Sequence, residues 1–255
     1  MIKLVIVDIS SLAFSVGEDK ISERIEESGF LTDLLERTRH PMLAVERTGA
    51  YLSLFSLYRH LFGEKMPPLT RDEHGRPYIE GSHYDFNISH SANMVAVAIS
   101  DDARVGVDIE EEISPDRAEH IETRYTSRMR PETLEGKLPT EIEIYLASLD
   151  EGGELVDYRM LEVITFTEND EENIGKNAKN VKSGIHFDAI LPTESTTSKW
   201  STAEAALKCE GGGFSEFFDR GAKFPEGITA KAYRITLAGK TRIKTFYLAI
   251  AAKKR

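Results

Sequence analysis

Three short stretches of this chain carry side chains whose types and spacing could do chemistry. In Val105-Gly106-Val107-Asp108-Ile109-Glu110, two carboxylates stand two residues apart. Alternate residues of a strand share a face, so Asp108 and Glu110 are predicted to project together. Paired carboxylates repel unless a cation lies between them, and oxygen-only ligands suit a hard ion, Mg²⁺ before Zn²⁺. The alternative is a charged strand end running on into Glu111 and Glu112. In Phe86-Asn87-Ile88-Ser89-His90-Ser91, the serine and histidine are neighbours, which on a strand puts them on opposite faces and excludes a Ser–His nucleophile pair. A hydroxyl, an imidazole and turn amides can instead converge on a phosphate; otherwise the segment is a hairpin with a surface histidine. In Trp200-Ser201-Thr202-Ala203-Glu204-Ala205-Ala206-Leu207-Lys208, Glu204 and Lys208 are four residues apart and share a helix face. They form either a surface ion pair or a metal-binding carboxylate beside a phosphate-binding ammonium.

The elements that must position these residues follow from periodicity and turn signals. Met1 to Ile9 reads as a strand. Glu23 to Arg37 and Glu46 to Phe62 read as helices, the second ended by Gly63. Arg71 to Gly81 is turn-rich. Phe86 to Ser89, Met94 to Ser100 and Val105 to Ile109 read as strands, the first two joined through His90–Asn93. Glu141 to Leu149 and Leu155 to Phe166 are strands or short helices, and Glu168 to Lys182 is polar and loop-like. Trp200 to Cys209 is a helix of good formers stopped by Gly211-Gly212-Gly213. Ala232 to Leu237 and Thr245 to Ala252 are strands around a turn at Gly239. Each half thus has a helix ending near a glycine and then a strand pair closing in alternating apolar residues. The reading is an α+β fold with residues 1–112 as an N-terminal half and 113–255 as a C-terminal half, and an insertion within 130–197.

Composition narrows the classes. The 255 residues are 40 % hydrophobic and 29 % charged, with a net charge of −11, ordinary for a globular chain. That acidity argues against nucleic acid as a partner, which needs a basic field, and any anionic ligand must meet a local basic cluster. The longest apolar run, Met94 to Ile99, is too short for a membrane helix. Asp8 breaks the apolar N-terminal stretch before it can serve as a signal peptide, and the single Cys209 fits a reducing, cytoplasmic setting. Gly239-Lys240-Thr241 looks like the end of a P-loop, but Arg234 stands where its first glycine would be. The histidines show no zinc spacing.

Taken in order, Gly75-Arg76-Pro77, then FNISHS, then VGVDIE, then the W-x-x-x-E-A-x-x-K helix followed by glycines, the chain resembles the 4′-phosphopantetheinyl transferases, in their single-chain, double-length, surfactin-synthetase-activating form. The correspondence covers Glu46 to Glu112, Lys199 to Phe214 and the closing strands. The resemblance implies two pseudo-symmetric halves, each a small antiparallel sheet packed with helices, with coenzyme A in the cleft between them. It implies transfer of phosphopantetheine from coenzyme A to a serine of an acyl or peptidyl carrier protein, as in holo-acyl-carrier-protein synthases, with release of 3′,5′-ADP. By similarity, Asp108, Glu110 and Glu204 would hold Mg²⁺, Glu204 would help deprotonate the carrier serine, and Lys208 would neutralise the diphosphate. Ser89 and His90 would touch phosphate, and Arg47, Arg71 and Arg76 would clamp the nucleotide end. Where the family has a lysine before the helix glutamate this chain has Ala203, so that phosphate contact is either missing or supplied by Lys199 or Lys182. Arg117, Arg124, Arg128 and Arg130 are candidates for receiving an acidic carrier, and double-length members imply a monomer. A non-catalytic coenzyme A-binding relative and a Mg²⁺-dependent phosphodiesterase are the alternatives for the same residues.

Overall fold

A computed structural model describes residues 1–14, 19–26, 28–164, 185–238 and 243–255. The fold is α+β, built in four layers. A five-stranded sheet runs β4 (Asp85–Ser91), β5 (Met94–Ser100), β1 (Ile2–Asp8), β7 (Ile142–Leu149), β8 (Leu155–Ile164). A four-stranded sheet runs β6 (Ala103–Glu111), β11 (Ile243–Lys254), β10 (Ile228–Ala238), β9 (Ile185–Ile190). A ribbon of β2 (Leu69–Arg71) and β3 (Pro77–Ile79) stands beside them.

Alternation along each strand sorts side chains between layers. Ile2, Leu4 and Ile6 of β1, Val105, Val107 and Ile109 of β6, and Leu248 and Ile250 of β11 fill the core between the sheets. The other face of the first sheet, with Val5, Val7, Val95 and Val97, packs on α3 (Pro41–Phe62) through Leu52, Leu54 and Leu57. The outer face of the second sheet is small, Ala230, Ala249 and Ala251, and receives Ala205, Ala206 and Cys209 of α5 (Thr196–Glu210). Alanine against alanine lets this helix lie close to the sheet. Gly106 of β6 is where it lies closest, since a Cβ there would stand 2.0 Å from the Ala205 carbonyl oxygen.

Both central helices end as read, on left-handed glycines, Gly63 (φ 72°) and Gly211 (φ 94°). The helix over Glu23–Arg37 divides into α1 (Asp19–Glu26) and α2 (Gly29–Glu36), because Ser28 accepts from the Leu31 amide and starts a new helix. Two expectations change. The first sheet is mixed, for β1 pairs in parallel with β7. The boundary at 112 does not separate the sheets either. Strand β6, before it, completes the second sheet on β11, whereas β7 and β8, after it, extend the first. The segment 130–197 contributes the hairpin β7–β8 to the first sheet and the edge strand β9 to the second. The Glu168–Lys182 loop, the Gly239 turn and Lys182 lie outside the described residues. Among the described residues no helix is long and apolar enough to cross a membrane.

Candidate functional site

The facing edges of the two sheets, β4 and β6, are joined by side chains. Polar residues at every second position of β4 face β6. Asp85 Oδ2 accepts from the Val105 amide at 2.7 Å, Asn87 Oδ1 from Val107 at 2.9 Å and Ser91 Oγ from Glu111 at 3.0 Å. Backbone donors that a neighbouring strand would otherwise satisfy are thereby satisfied. The fourth member of the row, Ser89, donates its hydroxyl to Asp108 Oδ1 at 2.8 Å. The seam thus ends in the carboxylates.

Helix α5 brings the third carboxylate. The register of β6 turns Gly106, Asp108 and Glu110 toward α5, and the Ser201 hydroxyl donates to the Asp108 carbonyl at 3.2 Å, pinning the helix. One turn on, Glu204 joins Asp108 and Glu110 so that one oxygen of each lies within 4.8 Å of the others. Lys208 Nζ donates to Asp108 Oδ1 at 2.7 Å and Ser89 Oγ at 3.0 Å, and pairs with Glu204 Oε1 at 3.2 Å. Two strands and a helix, from sequence positions about a hundred residues apart, thus meet in one charged cluster.

The cluster is short of positive charge. Burial pushes the Asp108 carboxyl up; Lys208 opposes this and Glu204 adds to it. Burial likewise pushes Glu110 up, helped by the repulsion of Asp108 and Glu204. Burial alone would lower Lys208, but Asp108 and Glu204 outweigh it and hold the ammonium above its ordinary value. Three carboxylates facing one ammonium leave an excess of two negative charges, the amount a divalent cation supplies. Asp108 Oδ2 is buried without a hydrogen-bond partner, a free oxygen of the kind a hard ion coordinates. The donor set fits Mg²⁺.

A pH-dependent response to metal follows. Folded-state carboxyls raised above their unfolded values bind protons on folding, so their contribution to stability falls as pH rises through the folded values. A Mg²⁺ ion held by the three carboxylates would replace those protons. It is expected to raise the thermal midpoint by about 3 °C at about pH 8, at concentrations about tenfold above its dissociation constant. The rise should shrink toward about pH 5.5, where protons already neutralise the cluster. Differential scanning fluorimetry reads both, and a metal shift that is absent or larger in acid would reject the three carboxylates as ligands.

The cluster opens onto a cavity of about 430 Å³ bounded by Arg47, Tyr51 and Leu34 on one side, Ile88 and His90 on the floor, and Glu204, Lys208 and Gly211 on the other. Arg47 is on α3, and its guanidinium is held by the Thr38 hydroxyl at 2.5 Å. His90 lines the cavity from the face of β4 opposite Ser89. Burial, with Lys208 and Arg47 nearby, lowers its imidazole to about 4.

Other expected ligands are placed differently. Arg76 borders the cavity, but its two terminal nitrogens are spent on Asp85 (2.7 Å) and on the carbonyls of Val105 (2.8 Å), Phe86 (3.0 Å) and Cys209 (3.0 Å). These bonds tie the start of β3 to β4, β6 and α5. Arg71 lies outside the cavity lining, with its guanidinium 4.4 Å above the Phe30 ring. Ala203 is fully buried against Met129, Leu207 and Phe217, so its position does not face the cavity. Lys199 is paired with Glu122 at 3.0 Å. Arg117, Arg124, Arg128 and Arg130 are exposed on and after α4 (Pro115–Arg124), with Arg128 stacked 4.6 Å over Phe218.

The residues left unread in the sequence are Tyr51, one turn from Arg47, Asn87 in the seam, and Glu46 behind His90. The period-two polar pattern of Asp85, Asn87, Ser89 and Ser91 is a signal for the seam; nothing local marks Glu46. Compared with models of known protein families and with curated protein sequences, the chain matches none.

Proposed function

We propose that this protein is a Mg²⁺-dependent 4′-phosphopantetheinyl transferase acting on an acyl or peptidyl carrier protein, a cytoplasmic monomer with coenzyme A as co-substrate. The observation that carries the reading is the gathering of Asp108, Glu110 and Glu204 beside Lys208 at the mouth of one cavity. The residue order that resembles the family provides the substrate.

Asp108, Glu110 and Glu204 would hold Mg²⁺, which when bound neutralises the diphosphate of coenzyme A and the charge that builds on its bridging oxygen. Lys208, which sits among Asp108, Ser89 and Glu204, offers its ammonium to a diphosphate oxygen. Arg47 and His90 hold the nucleotide end. Glu204 is the most open of the carboxylates beside Lys208, 28 % exposed against 1 % for Asp108, and so can accept a proton from an incoming serine. The serine oxygen bonds to the phosphorus bearing pantetheine as that phosphorus loses its bond to the bridging oxygen. The serine proton passes to Glu204, and 3′,5′-ADP leaves. Positioning and charge neutralisation carry such a transfer, without a covalent enzyme intermediate.

The test is incubation with coenzyme A, Mg²⁺ and a panel of apo carrier proteins, read by intact mass. A carrier gaining one phosphopantetheine is expected. No gain on any carrier rejects the reading. Release of 3′,5′-ADP without a carrier would favour a phosphodiesterase, and nucleotide binding without turnover a non-catalytic coenzyme A-binding protein.

A further inference from the structure

Glu46 takes no part in the site described above. It lies on α3 just before Arg47, and its Oε2 is 3.1 Å from Nδ1 of His90, with the glutamate side chain 20 % and the histidine 25 % exposed. Nδ1 is buried and makes no hydrogen bond, so the carboxylate sits within reach but off the ring N–H direction. A side-chain rotation joins them. Leaving a buried ring nitrogen unpartnered is unfavourable, which favours that rotation. Partial burial raises the Glu46 carboxyl, with His40 opposing; a half-buried carboxylate gains from a donor.

We propose that Glu46 is the positioning residue for His90. Its carboxylate accepts the Nδ1 proton, fixes the ring, and leaves Nε2 as the edge offered to one phosphate oxygen in the cavity. The inference rests on reading that cavity as a site for a phosphorylated nucleotide. Which ring nitrogen carries the proton is set by the partner of the other. Unpartnered imidazoles favour the proton on Nε2, and a carboxylate at Nδ1 reverses that. The phosphate then meets Nε2 through the proton of its own P–OH, which passes to the ring; the phosphate becomes the dianion and the ring an imidazolium hydrogen-bonded to it. His90 faces Arg47 from α3 and Lys208 and Glu204 from α5. The two cations oppose a charged ring, so the carboxylate at its back is what makes that charge tolerable.

The experiment has two arms. In the ligand-free protein, ¹⁵N NMR of the His90 ring is expected to show the proton on Nδ1. Glu46→Gln should move it to Nε2, while Glu46→Asp, which keeps a carboxylate, should leave it on Nδ1. In calorimetry with 3′,5′-ADP, His90→Ala and Glu46→Gln should each weaken binding about tenfold, and the double substitution should be no worse than His90→Ala alone. An Nε2-protonated ring in the unaltered protein, or losses that multiply in the double variant, overturns the proposal. If the unaltered protein does not bind 3′,5′-ADP, the functional reading fails, and the ring spectrum alone still decides whether Glu46 positions His90.

Discussion

Glu204→Gln is expected to leave the fold intact and to slow carrier modification by about 10²–10⁴-fold, the range for loss of a positioned acid–base group. The amide keeps the shape of the side chain and removes both a proton acceptor and one of the three negative charges that would hold the metal. Glu204 is partly open, and its partner Lys208 keeps Asp108 at 2.7 Å. Unfolding should therefore shift by no more than about 0.5 kcal/mol. Asp108→Asn is the contrasting variant. Asp108 is 1 % exposed, and its Oδ1 accepts from both Lys208 and Ser89, so an amide there disturbs buried hydrogen bonds while Glu204 still pairs with the ammonium. That costs about 1–3 kcal/mol of stability in addition to activity. Chemical denaturation and the intact-mass assay on both variants separate the two effects. A Glu204→Gln protein that modifies its carrier at the normal rate would remove Glu204 from the reaction.

The contrast between these two residues shows how far the sequence could be read. Both the D-x-E pair and the E-x-x-x-K pair were legible, because strand and helix periods fix which neighbours share a face. Their meeting was not, because Asp108 and Glu204 are brought together only by the seating of α5 on β6. The central helices were legible from good formers and glycine stops, since those signals are local. The β1–β7 parallel pairing joins residues some 140 positions apart, and no short-range pattern encodes it. The partners of the arginines are illegible in the sequence for a related reason. From the sequence, Arg47, Arg71 and Arg76 were equivalent cations. In the fold, Arg76 is consumed by an aspartate and three carbonyls, Arg71 by an aromatic ring, and only Arg47 reaches the cavity with its charge uncompensated by a described carboxylate. Burial decides which cation is free, and burial is a property of the assembled sheets.

Gly106→Ala is expected to be the most damaging glycine-to-alanine change among the described residues. A Cβ at this position would stand 2.0 Å from the Ala205 carbonyl oxygen, 2.4 Å from the Cys209 amide nitrogen and 2.9 Å from the Cys209 Cα. All three obstacles are helix backbone, so no side-chain rotation relieves them. Either α5 lifts from β6 or the alanine layer beneath it opens. The first breaks the hydrogen bond of Ser201 to the Asp108 carbonyl and carries Glu204 and Lys208 away from Asp108. The second exposes Ala205, Ala206 and Cys209. Overpacking of this kind costs about 3 kcal/mol or more, and a displacement of about 1 Å at the reacting groups costs about 10²-fold in rate. The midpoint of unfolding should fall by about 6–12 °C. In the fraction that stays folded, the Mg²⁺-induced rise in that midpoint should vanish, because the third carboxylate no longer reaches the other two. Gly212→Ala is the control, since its Cβ would meet nothing nearer than the Glu216 carboxylate at 3.1 Å, a side chain that can move. If Gly106→Ala unfolds at the normal temperature and keeps its metal response, α5 is not seated on β6 as described, and the carboxylate cluster that depends on that seating loses its foundation.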